Sequence, residues 1–364
     1  MEEQAAALWK REGKIEMKAA RIHEYGKPVV LEDVPIPDIE SDEILVQVKA
    51  CGMCRSDVQL INGYFGHIPT PITIGHEISG VVHKIGKNVA SRLGFKEGDP
   101  VAVAPGWGDG VCRHCLAGNT HICANVRWPG FGPHGGFAEY LPVPARYLVK
   151  ADRRLSFEQI APLTDAGLTP YRGIKKLRDA GALGPGRVIG VFGIGGLGVY
   201  AVQYAKLLGG GATVVGFARN SDKLAIAKEN GADHVISVKN KTSDAIAAEL
   251  EKAVGQKDLD AIIDCAGATE MMELGFSLLG IGGHYANVGL VGERIDIPLL
   301  PRVNREQTFH GSFWGNNLDL AEVLSLAAQA KVRHTTTLFG FEQINEYLEL
   351  LRAGDVVGRA VMKW

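Results

Sequence analysis

From Arg187 to Gly289 the chain alternates short apolar runs with segments of helical spacing, and few architectures accept that rhythm. RVIGVFG, TVVGFA, HVISV, LDAIIDCAG and GHYANVG are strand-length. Between them LGVYAVQYAKLLG, SDKLAIAKENG, TSDAIAAELEKAVG and TEMMELGFSLLG repeat their apolar residues as helices do. RVIGVF shows no polar alternation, which marks a strand covered on both faces. Strict β/α alternation predicts a doubly wound parallel sheet with right-handed crossovers.

The first β/α turn of that sheet is Gly193-Ile194-Gly195-Gly196-Leu197-Gly198, a G-x-G-x-x-G run that follows a strand and opens a helix. In that setting the glycines permit a tight turn and close approach of backbone to a pyrophosphate, whose charge the helix N-terminus accepts. A dinucleotide cofactor is therefore expected. Versions that take NAD carry Asp or Glu ~20 residues further on. Here Ala218 stands at that place, followed by Arg219, Asn220 and Ser221, with Lys223 close by. No carboxylate repels a 2′-phosphate, and a guanidinium can bind one bidentately. Preference for NADP(H) over NAD(H) follows as an expectation.

Before this unit the pattern is different. MKAARIHEYG, EILVQVKACG, ISGVVHKIG, DPVAVAP and GFAEYLPVPARYLVK read as strands broken by Gly and Pro, and predict an irregular β-rich lobe. Inside it runs a long excursion with Cys112, Cys115 and Cys123 spaced C-x2-C-x7-C and Asp109 three places before the first. Four such donors predict one tetrahedral zinc site, with disulfides or buried free thiols as the alternatives. SFEQIAPLTDAGLTPYRGIKKL has helical spacing and leads into the β/α unit. After 310 the alternation stops; GSFWGN, the helix LDLAEVLSLAAQAK, TLFGFEQINEYLELLRAG and GRAVMKW are expected to pack back on the first lobe. The expected division is residues 17–166 with 311–364, residues 167–310, and a helical extension at 1–16.

Composition excludes several classes. The net charge of −2 has no basic block behind it, so neither nucleic acid nor an anionic membrane is an expected partner. Apolar runs are strand-length, so no membrane span is expected. Residues 1–16 are acidic and lack the apolar core of a secretory signal, which points to the cytoplasm, where thiols stay reduced and serve as thiolate ligands.

A second donor set is scattered. Cys51-Gly52-Met53-Cys54-Arg55-Ser56-Asp57 ends a strand, Gly75-His76-Glu77 begins another, and Pro162-Leu163-Thr164-Asp165-Ala166-Gly167 lies at the domain junction. Taken singly, Cys51-x-x-Cys54 fits a redox pair or half a zinc site, and a lone His is more often structural. Together the three segments resemble the zinc-containing alcohol dehydrogenases of the medium-chain dehydrogenase/reductase superfamily, over Met17 to Trp364. Gly135-Gly136-Phe137-Ala138-Glu139-Tyr140 matches a further run of that family.

The resemblance implies a fold and a site. The fold is α/β, an irregular β-rich GroES-like catalytic domain plus a Rossmann domain. Cys54, His76 and Asp165 would hold a catalytic zinc, with Asp165 a variant third ligand. Glu77 would be the neighbouring carboxylate able to exchange onto the metal, and Asp57 would orient His76. Asp109, Cys112, Cys115 and Cys123 would hold a structural zinc, making two per subunit. Ser56 would take the alcohol proton. Gln59 stands where relatives often carry a His and cannot act as a base, leaving water or His67 as the outer path. Val288 and Ser312 join the glycine loop as cofactor contacts. Cys51 would be a bystander and Cys265 a buried apolar residue on a strand.

The implied reaction is hydride transfer between a nicotinamide cofactor and a primary or secondary alcohol, aldehyde or ketone. Trp107, Trp128, Tyr64, Phe65 and Trp314 are candidate pocket walls. Sugar-oxidising relatives carry similar runs, so an aldose or polyol substrate is the alternative. A non-catalytic dinucleotide-binding protein is opposed by the intact Cys54, His76 and Asp165. Relatives assemble through the last strand of the dinucleotide sheet; here IDIPLL, within 285–299 and just beyond, is expected to form that edge in a homodimer or homotetramer.

Overall fold

The computed structural model describes residues 15–66 and 68–364, so the helix read into residues 1–16 falls outside the described residues as far as residue 14, and His67 falls outside them too. Glu16 already belongs to a strand. The first lobe comprises β1 (Glu16–Ile22), β2 (Val30–Pro35), β3 (Glu43–Met53), α1 (Arg55–Ile61), β4 (Ile72–Thr73), β5 (Glu77–Ile85), β6 (Pro100–Val103), α2 (Arg113–Leu116), β7 (Tyr140–Pro144), β8 (Leu148–Lys150) and α3 (Phe157–Leu163). α4 (Leu168–Asp179) leads out of it.

The second lobe alternates β9 (Val188–Phe192), α5 (Gly198–Leu208), β10 (Thr213–Ala218), α6 (Ser221–Glu229), β11 (His234–Ser237), α7 (Ser243–Val254), β12 (Leu259–Asp264), α8 (Thr269–Leu278), β13 (Leu279–Asn287), α9 (Leu299–Asn304) and β14 (Thr308–Gly311). Its sheet runs β11-β10-β9-β12-β13-β14, every pair parallel. All five residues of β9 are buried, as its unbroken apolar run requires. Each large side chain there contributes ~1.5–3 kcal/mol by leaving water. The order of strands reverses at β9, so the carboxyl ends of β9 and β12 open a crevice where ligands bind.

The chain then forms α10 (Asn317–Ala328), β15 (Thr336–Gly340), α11 (Ile344–Ala353) and β16 (Arg359–Lys363). β16 pairs with β3 antiparallel, so the C-terminus joins the first lobe, in a sheet ordered β15-β16-β3-β5-β6-β8 with β7 also on β3. A small sheet, β2-β1-β4, packs beside it. The GroES-like and Rossmann expectations match these two sheets.

One expected strand is absent. IDIPLL has no strand; residues 294–298 are irregular, Pro298 precedes α9, and the edge of the sheet is β14. Proline donates no ladder hydrogen bond and pre-sets a helix start, which overrides the apolar spacing. Leu299, Leu300 and Val303 are consequently exposed on α9, and Phe309 is exposed on β14.

Candidate active site and metal centres

The scattered donors meet because three chain ends do. β3 delivers Cys54 just past Met53, β5 opens on Glu77 directly after His76, and the turn between α3 and α4 presents Asp165. Donor atoms of Cys54, His76, Glu77 and Asp165 all lie within 4.8 Å of one another. Gly52 pairs with Glu77 across the ladder, and a Cβ there would fall 1.8 Å from Glu77 Oε2. Only glycine leaves that carboxylate its place.

His76 is fully buried and its two nitrogens have separate duties. Nδ1 lies 3.2 Å from Asp57 Oδ1. That contact fixes the ring and leaves Nε2 facing Asp165 Oδ2 at 3.4 Å and Ser56 Oγ at 3.4 Å. Asp57 also accepts from the Cys54 backbone N–H at 2.7 Å, so one carboxylate positions two of the donors. A thiol, an imidazole nitrogen and a carboxylate, with room for a further oxygen, fit a catalytic zinc ion.

Sequence reasoning missed the cation beneath this set. The register Ala360↔Met53 brings Arg359 beside Cys54. Its Nε donates to Glu77 Oε1 at 2.9 Å and Oε2 at 3.0 Å, and its Nη2 to Asp165 Oδ2 at 2.9 Å. Arg359 is only 5% exposed. A guanidinium that nearly buried needs its carboxylates, and they need it. Burial pushes the Glu77 carboxyl up to about 7 against the pull of Arg359. Burial also opposes ionisation of Asp165, but His76, Arg359 and Thr169 together hold its carboxyl well below the usual range. The one signal in the sequence is a charged residue opening the apolar run RAVM.

The cysteine excursion forms a separate cluster. Asp109, Cys112, Cys115 and Cys123 bring donor atoms within 4.8 Å of one another. All six cysteines are free, so the disulfide alternative falls. The backbone N–H groups of Asp109 and Asn125 point at Cys123 Sγ at 3.4 and 3.3 Å. Asp109 accepts from the N–H groups of Val111 and Cys112 and from Asn125, which hold its carboxyl well below the usual range. Amides aimed at sulfur and an ionised fourth donor fit a closed, thiolate-bound zinc with no position left for substrate.

The glycine loop lies where the motif places it, between β9 and α5. A Cβ on Gly198 would sit 2.0 Å from the Gly193 carbonyl oxygen, so this close turn excludes any other residue. Leu197, Val288 and Ser312 line a cleft of about 710 Å³ that also holds Cys54, Ser56 and Asp165. Ser312 Oγ and Asn287 Oδ1 are buried on that wall without a hydrogen-bond partner, which suits an amide-bearing ring such as nicotinamide. Arg219 is exposed at the end of β10, in no ion pair among the described residues. Asn220 caps α6 by accepting from the Asp222 N–H at 2.7 Å, and Lys223 is half-buried on that helix.

Of the expected pocket walls, Trp128, Trp314 and Phe65 line the cleft. Trp107 does not: it is 2% exposed, stacks on Tyr147 and donates to the Ala104 carbonyl at 2.9 Å. Tyr64 packs its ring on Phe65 but stays outside the lining. Phe131 and Phe313 were missed, because each sits in a loop with no period to orient it. Phe131 lies 5.2 Å and Trp314 5.9 Å from the His76 ring. Cys265 also departs from expectation. It lies one residue beyond β12, half-buried, and lines the cleft. Gln59 donates to the Leu290 carbonyl at 2.8 Å, tying the two lobes across the cleft.

Comparison with known proteins agrees with this geometry. Residues 40–153 match the family model described as alcohol dehydrogenase GroES-like domain, and residues 196–329 that described as zinc-binding dehydrogenase. An NAD-dependent alcohol dehydrogenase of Sulfurisphaera tokodaii is 37% identical over 95% of this chain and 99% of its own. The crystal structure of the alcohol dehydrogenase of the archaeon Aeropyrum pernix superposes with a TM-score of 0.88 at 35% identity, covering 95% of this chain and all of that one. The D-arabinose dehydrogenase of Sulfolobus solfataricus superposes with a TM-score of 0.84 at 29% identity, over 96% of this chain and 100% of that one.

Proposed function

This chain belongs to the zinc-containing alcohol dehydrogenases of the medium-chain dehydrogenase/reductase superfamily, and from that premise we propose that it moves hydride between small alcohols and their carbonyls with NADP(H) preferred. The observation that carries the reading is the convergence of Cys54, His76 and Asp165 in the cleft that the glycine loop also borders. Zinc bound there supplies Lewis acidity to a substrate oxygen, and nicotinamide supplies or takes the hydride. The chain's own residues do the rest. Asp57 orients His76 through Nδ1. Ser56 Oγ, beside His76 Nε2, is placed to hold the substrate hydroxyl proton. Arg359 offsets the two buried carboxylates. Phe131, Trp128 and Trp314 keep water from the donors. Absorbance at 340 nm over a panel of alcohols and carbonyls tests the reading; no turnover of any of them defeats it.

Support for NADP(H) is the uncharged Ala218 with Arg219, which is exposed at the end of β10 and in no ion pair among the described residues. Arg219→Ala should raise KM for NADP(H) about tenfold or more, the scale of one lost charge-assisted contact, and leave NAD(H) unaffected. A wild-type kcat/KM that favours NAD(H) would sink the preference. An aldose or polyol substrate is the second reading, favoured by the likeness to the D-arabinose dehydrogenase and opposed by the aromatic cleft; the same panel separates them.

A structural zinc in the cysteine excursion is the second metal. Cys112→Ser should remove one zinc per subunit and lower the unfolding temperature while the metal at Cys54 stays bound. Loss of catalysis at unchanged stability would mean that the two sites had been assigned the wrong way round.

We also propose a dimer or tetramer through the β14 edge, where Phe309, Leu299, Leu300 and Val303 are exposed together. Sedimentation should show an oligomer that Leu300→Glu dissociates. A wild-type monomer at micromolar concentration would end that proposal.

A further inference from the structure

Charge is unevenly settled along α4, the helix that starts after Asp165. Thr169, Arg172 and Lys176 all line the cleft, spaced as one helical face. Thr169 donates to Asp165 Oδ1 at 2.7 Å, so this face begins at the reactive donors. Lys176 lies ~10 Å further along the axis at 1.5 Å per residue. The facing helix α10 answers part of the charge. Asp319 accepts from Arg172 at 2.7 Å and from Lys175 at 2.7 Å, and Glu322 accepts from Lys175 at 2.7 Å. Lys176 is left over. Its Nζ reaches only the carbonyl of Gly311, at 2.7 Å, and no carboxylate pairs with it among the described residues.

Neighbouring polar atoms are left over as well. Arg172 Nη2 donates to Asn119 Oδ1 at 3.0 Å, yet Arg172 Nε is buried without a partner. His121, 2% exposed, also borders the cleft here, and its Nδ1 has no partner. An uncompensated ammonium in a half-buried wall costs free energy unless an anion comes to it.

Given the hydride-transfer reading above, we propose that the end of the cleft bounded by Lys176, Arg172 and His121 is a subsite for a carboxylate carried by the substrate. The substrate class is then a short oxo acid or hydroxy acid whose reacting carbon lies at the Cys54–His76–Asp165 set and whose carboxylate lies against α4. Lys176 acts on specificity, not on the hydride step, because it touches the substrate's far end.

The test compares 4-oxobutanoate with butanal, and 6-oxohexanoate with hexanal, as kcat/KM in wild type and in Lys176→Met. Wild type should favour the acid of one pair by about tenfold or more, the scale of a charge-assisted contact, and Lys176→Met should erase most of that ratio through KM. A ratio that favours the aldehydes, or one unmoved by the substitution, overturns the subsite. Turnover of neither pair defeats the hydride-transfer reading instead. The subsite is then judged by butanedioate binding, followed by tryptophan fluorescence, which Lys176→Met must weaken about tenfold. Inorganic phosphate binding as tightly as butanedioate would mean a site for free anions and would also overturn the proposal.

Discussion

His76→Ala should remove one zinc per subunit and cut kcat/KM by ~10³-fold or more, the scale of several kcal/mol of lost Lewis-acid stabilisation. The site cannot adapt to the loss. His76 is fully buried, Asp57 holds it from one side, and Asp165 and Ser56 face its other nitrogen. Alanine leaves a thiol and carboxylates, with Arg359 ready to occupy the carboxylates itself. It also strips Asp57 of a partner inside the core, so His76→Gln, which keeps polar volume, is the companion variant. Metal content measured beside activity separates the causes. A folded His76→Ala chain with full zinc and full activity would overturn the assignment of the reactive site.

Arg359→Met should destabilise the fold by about 3–5 kcal/mol, the range found when one partner of a buried ion pair is removed. Two buried carboxylates, Glu77 and Asp165, lose their shared cation at once. The substitution also touches the glycine loop, since a Cβ on Gly196 would lie 2.8 Å from Arg359 Nη1. Dinucleotide affinity should therefore fall along with the unfolding midpoint in urea. Zinc bound at Cys54, His76 and Asp165, as proposed above, would return a positive charge to the cluster. The destabilisation should consequently be larger after chelation than before. An unfolding midpoint within experimental error of the parent, with and without metal, would show that Arg359 is not the counter-charge described here.

Much of this site is legible in the chain because its parts are local. Gly193 to Gly198 contain their own turn, strand and helix, and Asp109 to Cys123 contain their own ligands, so spacing alone brings the donors together. The β/α alternation is equally local, since a run buried on both faces differs in composition from one with a solvent face. Errors arose where a segment's fate depends on a distant partner. IDIPLL has the apolar spacing of a strand, yet Pro298 and the pairing of β13 with Thr308–Gly311 leave it outside the sheet. Trp107 and Trp128 are both candidate pocket walls, with the stronger case for Trp128 from its place five residues after Cys123. Only packing separates the one stacked on Tyr147 from the one facing the cleft.

Cys54, His76 and Asp165 were legible only through the resemblance to a known family; by itself the sequence determined the β/α alternation, the dinucleotide loop and the compact donor cluster from Asp109 to Cys123. Their periodicity and motif spacing act over a few residues, within reach of one turn or one strand. Tertiary structure alone decided three further matters: that Arg359, at the far end of the chain, lies under the carboxylates; that Gln59 ties one lobe to the other; and that Lys176 finds no counter-charge among the described residues beside the cleft. Each depends on contacts between residues more than a hundred positions apart, and on which charges remain once the others have paired. No local pattern carries that balance, because it is settled only when the strands have taken their register and the helices their neighbours.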